Sequence, residues 1–140
     1  MEKYIGLDLG TVTLGIATSD SLGFVHGLET FRFPKEAYSQ ARKRVHDLVA
    51  QTGIKNIVIG LPINMDGSQG FQSEYSLEFK KMLEDELHLP VIMQDERLTT
   101  RMAHSTMISA DMSRKKRKEN VDKIAATIIL QSYLDSLPKY

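Results

Sequence analysis

The segment Asn56-Ile57-Val58-Ile59-Gly60 decides the fold class of this sequence. It is a short, continuous apolar run followed by a polar loop, which is typical of a strand buried on both faces of a sheet. A strand of that kind needs elements packed on each side of it, and helical patterns flank it in the sequence. We therefore predict an α/β protein.

The sequence on either side of this segment indicates how the sheet is built. Toward the amino terminus, strand-like runs with brief connections predict an antiparallel meander followed by a helix. Toward the carboxyl terminus, helices recur around one more strand, so right-handed parallel crossovers are expected. The expected architecture is a three-layer α/β/α sandwich with a mixed five-stranded sheet whose first three strands are antiparallel. The predicted strands are 4–8, 14–19, 27–33, 56–60 and 90–94, and the predicted helices are 38–53, 76–87, 99–109 and 121–137.

Composition excludes several classes of protein. The 140 residues are expected to form one domain, 1–140, and they contain no cysteine, which rules out disulfides, thiolate nucleophiles and cysteine-based zinc sites. Eighteen Lys and Arg balance eighteen Asp and Glu, so a nucleic-acid partner would have to be met by a local basic patch. No apolar stretch has the length of a signal peptide or a membrane span, and we expect a cytoplasmic protein with no membrane partner.

Acidic residues follow predicted strands at the positions where ligands bind in open α/β sheets. Asp8 ends the first strand, and Asp95 and Glu96 follow the last one. Only one of those two can face a given site, because adjacent side chains of a strand point to opposite faces. Asp122 lies in the first turn of the last predicted helix. Each acid also has a purely structural interpretation. Asp8 could close a turn, Asp95 or Glu96 could cap a helix or form an ion pair, and Asp122 could be favoured by the helix dipole.

Carboxylates that converge without a partner repel one another and raise each other's pKa values. A hard divalent cation such as Mg²⁺ or Mn²⁺ removes that repulsion, since both prefer oxygen ligands. A pair of such ions can activate water and stabilise the leaving oxygen of a phosphodiester. The four histidines are scattered and show no metal-ligand spacing. The acids therefore favour metal-dependent phosphodiester hydrolysis.

A basic run, Arg114-Lys115-Lys116-Arg117-Lys118, immediately precedes Asp122. Five like charges usually mean a solvated, mobile loop. Here the run would lie beside the proposed metal site, where it suits a polyanionic substrate held by its phosphates. The loop after the fourth strand, with Ser68 as a donor, could also approach a phosphate backbone, although a plain surface loop is the default interpretation.

Five segments along the chain form a recognisable set: Gly6-Leu7-Asp8-Leu9-Gly10, Gly15-Ile16-Ala17 with Ser19-Asp20, Gly60-Leu61-Pro62 with Asp66-Gly67, Asp95-Glu96-Arg97-Leu98-Thr99-Thr100, and Val121-Asp122-Lys123-Ile124-Ala125-Ala126 with Ile129-Leu130. In this order and spacing they resemble the YqgF family, described as Holliday junction resolvases and pre-16S ribosomal RNA nucleases with a ribonuclease H-like fold. The resemblance runs along essentially the whole chain. Many members carry an Arg just before the second strand, where this chain has Thr13, so a phosphate contact there is missing or is supplied by the basic run.

The resemblance implies a metal-dependent endonuclease for structured nucleic acid. It makes Asp8, Glu96 and Asp122 the catalytic residues and the ligands of Mg²⁺ or Mn²⁺, and so selects Glu96 over Asp95. It favours processing of the 5′ end of pre-16S ribosomal RNA, with Holliday junction resolution on branched DNA as the alternative. Ribosomal particles are a further expected partner, and a monomer or weak dimer the expected state. The candidate nucleic-acid contacts are Ser68, Arg97, Arg114, Lys115, Lys116, Arg117 and Lys118.

Two other interpretations stay open. The segment Gly6-Leu7-Asp8-Leu9-Gly10-Thr11 also looks like the first phosphate motif of the actin-like ATPase and sugar-kinase superfamily. Those proteins need two such domains with nucleotide between them, whereas this chain is long enough for one. The same fold could also serve as a non-catalytic nucleic-acid-binding module whose acids are structural remnants.

Overall fold

A mixed five-stranded sheet forms the centre of the computed structural model, which describes residues 1–61, 71–95 and 113–138, with the backbone alone for 71–72 and 114–119. The strand order is β3-β2-β1-β4-β5. β1 pairs antiparallel with β2, and β2 with β3, whereas β1–β4 and β4–β5 are parallel. The strands are β1 Tyr4–Leu9, β2 Thr13–Ser19, β3 Val25–Arg32, β4 Asn56–Leu61 and β5 Val91–Asp95.

Helices cover both faces of this sheet and bury two separate apolar clusters. The helices are α1 Tyr38–Thr52, α2 Phe71–Leu87 and α3 Arg114–Ser136. β1 shows why both faces are covered: Ile5 and Leu7 lie in the cluster with α1 and α2, whereas Tyr4 lies in the cluster under α3. The predicted α/β class and the antiparallel arrangement of the first three strands are confirmed.

α3 packs unusually close to the sheet because glycine lies beneath it. A Cβ built on Gly6 would stand 2.7 Å from the Cβ of Leu130 and 3.1 Å from the Ala126 carbonyl oxygen. Around that contact, Ala126, Ile129 and Leu130 are fully or almost fully buried. The position of α3 over β1 is therefore fixed by a small residue in the strand and an apolar face on the helix.

Two predicted helix boundaries are wrong. α2 begins at Phe71 rather than Ser76, and α3 begins at Arg114 rather than Val121. The basic run consequently forms the first turns of α3 instead of a loop. The physical reason is that Lys and Arg are good helix formers, so a charged segment can continue an apolar helix without a break. The predicted helix 99–109 lies outside the described residues. Among the described residues, no helix is long and apolar enough to cross a bilayer.

Candidate active site

Asp8 lies near the carboxyl end of β1, on the sheet face that α3 covers. It is partly buried and stands opposite Gly15 in the antiparallel register of β1 and β2. Alternation along β1 gives it the same face as Gly6, which contacts α3 directly. The carboxyl ends of β1, β4 and β5 share one edge of the sheet because these strands are parallel. Asp8 therefore lies where open α/β sheets bind their ligands.

Asp122 is brought to the same place by the absence of a side chain at Gly15. A Cβ built on Gly15 would stand only 2.0 Å from the backbone carbonyl oxygen of Asp122 and 3.1 Å from its Cβ. Any other residue at this position would push α3 off the sheet. Since Gly15 is also the register partner of Asp8, the two acids Asp8 and Asp122 lie next to the same glycine on the same face.

The carboxylate of Asp122 is held by a side chain from β2. The Thr13 hydroxyl donates a hydrogen bond to Asp122 Oδ2 at 2.7 Å, a distance in the short range expected of a donor to a charged carboxylate. Thr13 is 93% buried, and Asp122 is partly buried. The first residue of β2 and the ninth residue of α3 are thus joined directly.

Thr13 itself is fixed by the turn that follows β1. Its backbone carbonyl accepts a hydrogen bond from the Gly10 amide at 2.8 Å. The carbonyls of Val12 and Thr11 accept from the amides of Phe33 and Glu36 at 2.9 and 2.8 Å. The turn between Asp8 and β2 is therefore tied down at three successive residues, and it carries the hydroxyl that contacts Asp122.

Strand alternation decides which face of the sheet Asp95, the last residue of β5, shares. Val91 and Met93 pack into the cluster under α1 and α2, so alternation gives Asp95 that face, opposite to the face of Asp8. Gln94 shares the α3 face with Ile92. Alternation therefore puts Asp95 on the other face of the sheet from Asp8. Glu96, Arg97 and Ser68 lie outside the described residues.

The start of α3 changes the interpretation of Asp122. We predicted that Asp122 lies in the first turn of its helix, where the dipole alone would favour an acid, and this is wrong. The helix begins at Arg114, so Asp122 is about two turns in, beyond the reach of that effect. The helix dipole therefore does not explain Asp122, whose carboxylate is instead hydrogen-bonded to Thr13.

α3 also determines where the basic run lies. From Asp122 over Gly15, the helix passes Gly6 at Ala126 and Leu130 and reaches Tyr4 at Tyr133, so it runs antiparallel to β1. Residues 114–121 therefore extend past Asp122 beyond the level of Asp8, by about 12 Å at 1.5 Å per residue. The basic run, residues 114–118, is the first part of this helical extension, at the edge of the sheet where Asp8 lies.

A carboxylate away from these acids fixes the start of β5. Glu84 of α2 accepts from Lys80 Nζ at 2.7 Å and from the Val91 amide at 3.1 Å. The hydrogen bond from Lys80, and after it the one from the Val91 amide, lower the pKa of Glu84 below its ordinary value. The charged form of Glu84 thus joins the end of α2 to the strand that leads to Asp95.

Sequence reasoning missed the roles of Thr13 and Gly15. Thr13 was interpreted only as a departure from a family arginine, and Gly15 only as part of a motif. A signal for both was present: Thr13, Gly15, Ala17 and Ser19 alternate along β2, and all four are buried. Small residues at period two on one face of a strand indicate that a helix packs closely against that face.

Comparison with known proteins places this arrangement among nucleases. The family model "RuvX: Holliday junction resolvase" matches residues 2–136. A Geobacillus sp. (strain WCH70) protein is 49% identical over 135 residues, covering 96% of this chain and 98% of its own length, and is named "Putative pre-16S rRNA nuclease". A Bacillus subtilis (strain 168) protein with the same name is 46% identical, covering 96% of this chain and 99% of its own length.

Solved structures share the fold at low sequence identity. The chain matches RuvC of T. thermophilus in complex with a Holliday junction substrate with a TM-score of 0.61 at 13% identity, covering 97% of this chain and 98% of that one. A second match is "Lmo2764 protein, a putative N-acetylmannosamine kinase, from Listeria monocytogenes", with a TM-score of 0.50 at 16% identity, covering 78% of this chain but 40% of that one. At these identities the likeness extends to the fold alone.

Proposed function

This chain belongs to the RuvX family, whose model is described as Holliday junction resolvase, and from that premise we propose that the protein is an endonuclease for structured nucleic acid. The observation that carries the proposal is the position of Asp122, which α3 presses against the register partner of Asp8. Two hard oxygen donors on one face of a sheet edge, with a basic helix extension beside them, suit the hydrolysis of a phosphodiester.

The proposed donor set suits a divalent metal only with a ligand from outside the described residues, since within them no three His, Cys, Asp or Glu side chains are grouped to hold one. Asp8 and Asp122 offer carboxylate oxygens from two different elements, and Glu96 is the third ligand that we propose from the segment after β5. Mg²⁺ or Mn²⁺ prefers such oxygen ligands and, when bound, supplies activation of water and stabilisation of the charge on the leaving oxygen. The protein fixes the donors in advance: Gly15 sets the depth of α3, and Thr13 orients the carboxylate of Asp122.

The substrate would be held mainly through its phosphates. The five cations at 114–118 occupy the amino-terminal turns of α3, where the helix dipole adds further positive potential. They extend along the helix beyond Asp122, so a strand bound along them leads toward the acids. We propose Ser68 and Arg97 as further phosphate contacts.

We propose the 5′ end of pre-16S ribosomal RNA as the natural target. Relatives that are 46–49% identical over 96% of this chain carry the name of that activity. Acting on this substrate would bring the protein, as a monomer or weak dimer, to ribosomal particles in the cytoplasm. Resolution of branched DNA is the second candidate, and the description of the family model favours it.

A paired assay tests the proposal. The wild-type protein is incubated with Mg²⁺ or Mn²⁺ and either precursor 16S ribosomal RNA or a four-way DNA junction, beside Asp8→Asn and Asp47→Asn. Asp47 is an exposed aspartate on α1, on the far side of the sheet, and serves as a matched charge control. We expect metal-dependent cleavage of the RNA by wild type and Asp47→Asn. The cleavage rate of Asp8→Asn should be lower by orders of magnitude.

Other outcomes have definite meanings. Cleavage of the junction alone would replace the RNA target by branched DNA. Binding without cleavage by wild type would indicate the non-catalytic module, whose acids do no chemistry. Equal cleavage by Asp8→Asn and wild type would contradict the proposed site.

A further inference from the structure

We propose that Thr13 is a positioning residue that orients Asp122 for metal binding, an inference that rests on the proposed function. The carboxylate of Asp122 has two oxygens, and the Thr13 hydroxyl donates to Oδ2 at 2.7 Å. A carboxylate held at one oxygen presents the other in a defined direction. Hydrogen-bond partners of metal-ligating side chains commonly act in this way, by fixing the orientation of the ligand.

The hydroxyl is suited to this role because it can hardly move. Thr13 is β-branched, which restricts its χ1 angle, and it is 93% buried at the start of β2. Its backbone is also held by the Gly10 amide, in the turn that follows Asp8 directly. The positions of Asp8 and of the donor to Asp122 are therefore set by one continuous stretch of chain.

The Thr13 hydroxyl points inward and contacts the acid, and its side chain is almost fully buried, so position 13 acts on the metal site rather than on the substrate. The inference predicts an effect on metal affinity and on kcat, with little effect on the KM for nucleic acid.

The neighbouring strand provides a matched control. Thr30 of β3 is the register partner of Gly15, and its hydroxyl is buried with no hydrogen-bond partner among the described residues. Thr30→Val removes a hydroxyl one strand away from Thr13, close to the same part of α3. It removes no contact to a carboxylate, so it should leave metal binding and cleavage as in wild type.

The experiment compares variants with wild type in two measurements. The first is Mn²⁺ binding, measured by calorimetry without nucleic acid, and the second is the cleavage rate at varied metal concentration. The variants are Thr13→Val, Thr13→Ser and Thr30→Val, with Thr13→Ala as a second hydroxyl-free variant in case valine disturbs folding. We expect Thr13→Val to bind Mn²⁺ about 10–100-fold more weakly and to need correspondingly more metal for half-maximal rate. Thr13→Ser keeps a hydroxyl, so its Mn²⁺ affinity should lie within about threefold of the wild-type affinity. That difference is clearly smaller than the loss of about 10–100-fold expected of Thr13→Val.

The outcomes separate this inference from the proposed function. Wild-type metal affinity and rate in the hydroxyl-free variants would overturn the positioning role and leave the nuclease proposal standing. Equal losses in Thr13→Ser and Thr13→Val would also overturn it, because the hydroxyl would then not be the determinant. A wild-type protein that neither binds metal nor cleaves would overturn the proposed function itself, and this inference with it.

Discussion

The backbone carbonyl of Asp122 lies against Gly15 so closely that a Cβ on the glycine would stand 2.0 Å from its oxygen. The contact joins the helix that carries one candidate ligand to the register partner of the other. The depth of this contact therefore bears directly on how far Asp122 lies from Asp8.

Gly15→Ala should therefore damage stability and activity together. We expect a loss of about 2–3 kcal/mol in the free energy of unfolding, because the new methyl meets backbone and α3 must shift. Cleavage by the folded fraction should fall as Asp122 moves. Gly53→Ala is the control: its φ of 71° makes alanine costly by about 1 kcal/mol, yet apart from its two chain neighbours no described residue has an atom within 4 Å of the new methyl. Denaturant unfolding and cleavage assays would show both losses in Gly15→Ala and the stability loss alone in Gly53→Ala.

Asp8→Asn should separate chemistry from folding. Without metal, removing one charge from two neighbouring acids relieves repulsion, so the melting temperature should stay the same or rise slightly. Cleavage with metal should fall by orders of magnitude, because a ligand is lost. Thermal melting without metal and cleavage with metal, on the same preparations, check the two parts. A clear drop in melting temperature with activity retained would identify Asp8 as a turn residue instead.

The basic run should control the salt dependence of binding. Helical spacing puts positions 115 and 118 on the same side of α3 as Asp122, and positions 116 and 117 on the far side. Replacing Lys115 and Lys118 by Ala should weaken binding to all sequences alike. Each lost phosphate contact should flatten the slope of log affinity against log salt by about 0.7–0.9.

The matched pair for that experiment is Lys116→Ala with Arg117→Ala, which removes the same charge from the other side of the helix. Binding titrations at several salt concentrations should give this second pair a slope closer to wild type. An unchanged slope in both pairs would show that the run does not contact phosphates.

Glu84 should make stability depend on pH. Its pKa is lowered in the folded protein, chiefly by the hydrogen bond from Lys80, so its contribution is present above the unfolded-state pKa and is lost as pH falls through the folded pKa. Glu84→Gln should lower stability by about 0.5 kcal/mol at pH 7, since the pair is partly exposed. Denaturant unfolding at pH 7 and pH 3 should show the difference at pH 7 and almost none at pH 3. A difference of the same size at both values would exclude the charge as its cause.

The sheet could be predicted from the sequence because the pattern of apolar residues in each strand indicates which faces of that strand are buried. The apolar run at 56–60 and the three strand-like runs before it, with their brief connections, indicated both the mixed sheet and its antiparallel part. Strand alternation gives Asp95 the face opposite to that of Asp8, whereas Glu96, which the resemblance selected, lies outside the described residues and stays a prediction.

The site was harder to predict because it depends on contacts between elements far apart in the chain. The hydrogen bond from Thr13 to Asp122 spans 109 residues, and no local pattern contains it. The start of α3 was misplaced because a run of like charges was interpreted as a loop, although each of its residues tolerates a helix. That error put Asp122 in a first turn and gave it a helix-dipole explanation that its position in α3 does not support.

The extension of α3 past the edge of the sheet has a thermodynamic consequence. Five cations at an amino-terminal helix end oppose the macrodipole and repel one another, so propagation of the helix through residues 114–118 is favoured less than in the segment packed on the sheet. A polyanion removes both penalties at once. Helix propagation and nucleic-acid binding are then linked equilibria: phosphates should raise the helicity of this segment, and part of their binding energy is spent on extending the helix that carries Asp122.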